Sequence, residues 1–227
     1  MPADPKQTHL AQQWQHTSPF ITCRFDPQGR YVFATAEDRT IQRWTLADGT
    51  KLGYPAQETW IRGMAFLPDG ETLITGGSEG RLVWWPVSGE KPEPIRTVDA
   101  HKDQWIRSVS VSPDGAFIAT GGNDKLVKLW SAADGALVRV FEGHDSHVYS
   151  TLYHPGGQFV LSGDLSGKIH QWNVADGKLV RTFDASPLHS YNEGQQVHYG
   201  GVRSLALSPD GKRLAASGLD NASNPLG

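Results

Sequence analysis

The residues able to do chemistry in this 227-residue chain are nine histidines, eight tryptophans, a set of arginines and a single cysteine, Cys23. His144, His147 and His154 invite a metal reading, but zinc needs three or four converging ligands. His154 also stands at the serine position of a turn written Ser-Pro-Asp-Gly elsewhere in the chain, so no metal is expected. One cysteine excludes an intramolecular disulfide, a haem-attachment pair and a Cys-based zinc site. The stretch Gly163 to Lys168 (GDLSGK) is one residue short of a phosphate loop and leads towards a strand. No Gly-x-Ser-x-Gly elbow is present, so the expectation is no catalytic residue and no cofactor. What stands out is Trp-Ile-Arg written twice, at Trp60–Arg62 and Trp105–Arg107. These are residue types that carry binding energy at interfaces.

Elements must position those residues, and the pattern from His101 to Phe141 shows which. Alternating apolar and polar runs at Ile106–Val111, Ala116–Thr120, Leu126–Trp130 and Ala136–Phe141 are separated by turn residues: Pro113-Asp114-Gly115, Gly121 to Asp124, and Asp134-Gly135. Period-two alternation bounded by Gly, Asp and Pro predicts a four-stranded antiparallel meander. The unit recurs. Its first turn glycine falls at Gly29, Gly70, Gly115, Gly157 and Gly211, and fifteen residues after the first four stand Trp44, Trp85, Trp130 and Trp172. Composition agrees with a globular all-β domain: aromatics are 10% and charged residues 20%. A net charge of −3 argues against general nucleic-acid binding. The head has no basic start followed by an apolar run, and no apolar stretch reaches ~18 residues, so neither a signal peptide nor a membrane span is expected. The expected location is cytoplasmic.

These repeats resemble the WD-repeat β-propeller family, whose units run about 40–45 residues with a Gly-His opening and a Trp-Asp close. The resemblance covers the chain from Thr8 onward. Gly143-His144 is the opening dipeptide, while the closing Asp is replaced by Thr45, Pro86, Ser131 and Asn173. The family joins its His to a Ser/Thr, an Asp and the Trp in a buried network. The resemblance implies such a network at His101, Thr120, Asp124 and Trp130 in the third repeat. In the fourth it implies His144, Ser162 and Trp172, with Ser166 where Asp belongs. In the first it implies His16, Asp38 and Trp44, with Ala34 at the hydroxyl position. The second keeps Thr75 and Trp85, with Gln57 for His and Glu79 for Asp. The third blade is therefore expected to be the best held, and the second and fourth the loosest.

The expected architecture is all-β: an incomplete WD-repeat propeller of about four and a half blades. Residues 1–15 form an N-terminal segment that could be a ring-closing outer strand, and residues 16–227 form the propeller. Its repeats lie near 16–56, 57–100, 101–143 and 144–197, with a partial fifth at 198–227, where Leu226 stands in place of Trp. Family propellers bind partners on the face around the central channel, and the resemblance puts Trp60, Arg62, Trp105, Arg107, Tyr149 and Arg203 there. Converging arginines would suit an acidic or phosphorylated peptide. The alternative is that each arginine merely covers aromatic surface or pairs with a nearby Asp. Between Gly177 and His198 an insertion (ASPLHSYNEGQQ, 185–196) is placed on the same face. The function expected is a non-catalytic scaffold for protein or peptide partners, with no nucleic acid and no membrane. Such a scaffold would need further blades or self-assembly to close the ring. The alternatives are an enzyme or small-ligand propeller using the channel, and a fragment of a larger multidomain WD-repeat protein.

Overall fold

The computed structural model describes residues 9–55 and 57–218. Its sheets are antiparallel meanders in which each strand pairs with its sequence neighbours. The first blade comprises β1 (Phe20–Phe25), β2 (Tyr31–Ala36), β3 (Ile41–Thr45) and β4 (Lys51–Tyr54). The second comprises β5 (Ile61–Phe66), β6 (Thr72–Gly77), β7 (Arg81–Pro86) and β8 (Arg96–Asp99). The third comprises β9 (Ile106–Val111), β10 (Phe117–Gly122), β11 (Val127–Ser131) and β12 (Leu137–Phe141). The fourth comprises β13 (Val148–Tyr153), β14 (Phe159–Asp164), β15 (Lys168–Asn173) and β16 (Leu179–Asp184). The fold class is the expected one, an incomplete propeller.

The insertion is folded: a 3-10 turn at Ser186–Leu188 leads into a separate hairpin of β17 (His189–Asn192) and β18 (Val197–Gly200). The fifth sheet then contains only β19 (Ser204–Leu207) and β20 (Leu214–Ser217) among the described residues. Leu226 lies outside the described residues. So do residues 1–8 of the segment expected to close the ring. The rest of that segment, residues 9–15, carries no strand, which departs from the expectation. Instead Gln12 Nε2 donates to the Leu46 carbonyl at 3.0 Å and the Trp14 ring lies 6.4 Å from Trp44. A strand there would need an outer-strand neighbour on the last blade, and the described fifth sheet stops at two strands.

The first hairpin of each blade is closed chemically. In the third blade Ser112 Oγ accepts from Phe117 N at 2.9 Å and donates to Asp114, whose carboxylate accepts from Ala116 N. Gly115 follows with φ +73, a conformation other residues adopt only with strain. In the fourth blade His154 substitutes for the serine: its Nδ1 accepts from Gly156 N at 3.0 Å. That accounts for one histidine of the metal reading.

Blades stack face to face, and the buried cores lie between them. Trp85 packs into the first–second interface with Phe33 and Ile41, Trp130 into the second–third with Ile74 and Trp84, and Trp172 into the third–fourth with Leu129. Burying one such indole side chain removes enough apolar surface to contribute a few kcal/mol. The fourth–fifth interface has Leu161, Ile169 and Val202, with only partly buried leucines from the fifth sheet. The inner strands β1, β5, β9, β13 and β19 line a common cavity of about 690 Å³.

Candidate functional site

Four versions of one buried network hold the blades. In the third, Trp130 Nε1 donates to Thr120 Oγ1 at 2.9 Å, and Thr120 Oγ1 lies 2.7 Å from His101 Nε2. His101 Nδ1 lies 2.8 Å from both Asp124 oxygens. The donors are all used if Trp N–H gives to Thr, Thr O–H to Nε2, and Nδ1–H to the carboxylate. The network thus selects that tautomer. Lys128 Nζ adds an ion pair to Asp124 at 3.0 Å. Burial raises the Asp124 carboxyl, but His101 and Lys128 outweigh it and hold it at about 2. Burial pushes His101 down, against the pull of Asp124.

The fourth blade corrects the expectation that its acid is missing. Asp164, at the end of β14 and two residues before Ser166, supplies it. Its Oδ2 accepts from His144 Nδ1 at 2.8 Å, with both side chains wholly buried. Ser162 Oγ lies 2.7 Å from His144 Nε2 and accepts from Trp172 Nε1 at 2.7 Å. The other Asp164 oxygen accepts from Ser166 N, Ser166 Oγ and Lys168 N, tying down the turn. The sequence signal is the residue equivalent to Gly122. A Cβ built there would lie 2.5 Å from His101 Nδ1 and 3.0 Å from Asp124 Oδ1. That direction is where Asp164 sends its side chain. An acid arrives either from the strand end, as Asp164, or from the turn, as Asp124 over a glycine. The fourth blade is therefore not loose by the reasoning that made it so.

The other blades are partial. In the first, His16 Nε2 lies 2.7 Å from Asp38 Oδ2, and Lys51 Nζ is 3.0 Å from its other nitrogen. With Ala34 at the hydroxyl position, the Trp44 ring packs against Trp14 and Phe20 instead. In the second, Trp85 Nε1 donates to Thr75 Oγ1 at 2.9 Å, and Thr59 takes over contact with the Glu79 carboxylate. Gln57 is buried with neither amide atom hydrogen-bonded among the described residues. His198, expected to open the fifth repeat, is drawn into the insertion hairpin, where its Nδ1 lies 2.9 Å from His189 Nε2. Ala216 occupies the hydroxyl position of that blade, so a histidine there would have no hydroxyl to meet.

On the rim of the cavity the structure brings all six expected contact residues into one continuous row. The Arg62 guanidinium carbon lies 5.8 Å from the Trp60 ring centre and 5.3 Å from that of Trp105. Arg107 lies 4.3 Å from Trp105 and 4.6 Å from Tyr149. Arg203 lies 4.0 Å from Tyr149. Trp60 and Trp105 meet edge to face at 6.4 Å, and Trp60 Nε1 donates to the Glu37 carbonyl of the first blade at 3.0 Å. Asn123 Oδ1 accepts from Arg107 Nε at 2.8 Å and fixes its plane. Burial lowers the Arg107 pKa, Tyr149 opposing and Arg62 and Arg203 adding to the effect; it stays charged at neutral pH. Among the described residues no carboxylate ion-pairs with Arg62, Arg107 or Arg203. The arginines do cover aromatic rings, on neighbouring blades as well as their own. His147 stands beside this row, its pKa lowered by burial and then by Arg107, Lys125 and His198.

Sequence comparisons agree with the repeats. The family model "WD domain, G-beta repeat" matches residues 8–45, 50–86, 92–131, 135–173 and 185–222. Protein HIR1 of Yarrowia lipolytica is 28% identical over 117 residues, 43% of this chain and 11% of its own length. A WD repeat-containing protein of Schizosaccharomyces pombe is 36% identical over 69 residues, 30% of this chain and 17% of its own. The chain thus matches less than a fifth of either relative's length.

Proposed function

Because this chain belongs to the WD-repeat family, we propose that it is a non-catalytic protein-interaction scaffold that captures carboxylate-rich or phosphorylated segments on the rim of its cavity. The observation that carries this reading is the set of three arginines at equivalent strand starts that, among the described residues, have no carboxylate partner. Three like charges on one rim repel one another, and an anionic ligand relieves that repulsion while taking charge-assisted hydrogen bonds. The rings hold the guanidinium groups in place beforehand, so less side-chain entropy is lost on binding.

We place the contact surface at Trp60, Arg62, Trp105, Arg107, Tyr149 and Arg203. Residues 16–227 are assigned to the propeller and residues 1–15 to a segment that precedes it, and further blades or a second copy would complete the ring. The test is titration of a fluorescein-labelled phosphoserine peptide into the wild type, the Arg62→Glu/Arg107→Glu variant and the Arg203→Glu variant. Each reversal should weaken binding roughly tenfold or more, the worth of one charge-assisted hydrogen bond. Arg203 is exposed, so its variant tests the reading even if the double variant misfolds. Unchanged affinity in Arg203→Glu and in a folded double variant overturns it.

A further inference from the structure

The row of rings and guanidinium groups restricts what the rim can hold, and this inference rests on the reading just given. Tyr149 on the fourth blade lies between Arg107 on the third and Arg203 on the fifth, at 4.6 and 4.0 Å. The two cations come to it from the two blades that flank its own. Trp105 is flanked in the same way by Arg62 of the preceding blade and by Arg107, at 5.3 and 4.3 Å. A cation over an aromatic face is held there by the ring quadrupole. With each ring already against two guanidinium groups, a nucleobase would have to displace one of them to stack, as it does on single-strand platforms. What remains for a ligand are the guanidinium N–H donors not already used, Arg107 having given its Nε to Asn123. Among the described residues the side chains of Arg62 and Arg203 have no hydrogen-bond partner, and Arg62 Nε is buried without one.

The legs through the rings bound the spacing from above. Consecutive guanidinium carbons are separated by less than about 10 Å through Trp105 and about 9 Å through Tyr149. On an extended chain, side chains two residues apart share a face and rise ~7 Å, and flexible carboxylate or phosphate groups splay to reach slightly further. Adjacent residues point to opposite faces, as do residues three apart.

We infer that the rim selects extended peptide segments carrying anionic side chains at alternating positions, read by Arg62, Arg107 and Arg203 through their edges. Net charge alone is then insufficient, and single-stranded nucleic acid is a poor ligand. The experiment measures fluorescence anisotropy of labelled peptides of equal length and net charge. Each carries two phosphoserines separated by zero, one or two intervening residues, and labelled oligothymidylate is tested alongside. The expected result is that the peptide with one intervening residue binds about tenfold tighter than the others, the worth of a second well-placed charge-assisted contact. Arg107→Ala, which removes the guanidinium shared by both pairs, should reduce that preference to about twofold or less. Equal affinity for all spacings, or oligothymidylate binding as tightly as the peptides, overturns the inference and leaves the scaffold reading standing. Failure of every phosphopeptide to bind removes both.

Discussion

The third and fourth blades reach the same four-membered network by different chemical routes. In the third, the acid comes from the turn as Asp124, over a strand end kept bare by Gly122, and the carboxylate remains 17% exposed beside Lys128. In the fourth, the acid comes from the strand end as Asp164, its pair with His144 has no exposure, and Ser166 fills the vacated turn position. A repeat constrains where atoms end up, and two substitutions that exchange roles leave that outcome intact.

Removing the acid separates the two most strongly. Asp164→Ala leaves a buried imidazole N–H unpartnered and three turn donors unsatisfied, and should cost about 3–5 kcal/mol. Asp124→Ala, at a site water can enter, should cost about 1–3 kcal/mol. Urea denaturation of both variants measures the difference, and equal losses would remove the distinction drawn from burial. Transplanting the route is the next test. Gly122→Ala should destabilise by about 2 kcal/mol, because its Cβ meets His101 Nδ1. Gly122→Asp combined with Asp124→Ser, which writes the fourth-blade solution into the third, should recover most of that loss in the same assay. A double variant no better than Gly122→Ala would show that the routes are not interchangeable.

Acid should expose the smallest contrast. Asp124 falls from an ordinary 3.8 to about 2 in the folded chain, so its stabilisation is present above pH 3.8 and is lost as pH falls towards 2. That amounts to about 2 kcal/mol. His101 is also lowered, so the unfolded chain protonates first, and stability begins to fall below its ordinary 6.5. His170, stacked on His144 at 4.2 Å and likewise lowered by burial and that neighbour, makes the fourth blade contribute to the same early loss. Thermal midpoints measured from pH 8 to 2 should therefore drop in two stages, and Asp124→Asn should shrink the second. A single late drop would show that the buried histidines do not respond to acid.

Local pattern was enough for much of this. Turn glycines, alternating strands and evenly placed tryptophans fix blade length and the direction of each strand, because they depend on residues close in sequence. The six rim residues were also legible, since equivalent positions in a repeat occupy equivalent places. The hairpin that claims His198 was hidden, because an insertion has no counterpart from which to read it. Asp164 was missed because its role was sought at one offset, although a carboxylate can reach the same imidazole from two.

By itself, then, the sequence determined the repeat, the all-β class and the candidate surface. Tertiary structure alone decided which carboxylate closes the fourth network and that arginines of one blade rest on rings of the next. The physical reason is distance along the chain: His144 meets Asp164 across 20 residues, and Arg107 meets Tyr149 across a blade boundary. Such meetings depend on side-chain direction and on the neighbouring sheet, which periodicity does not encode.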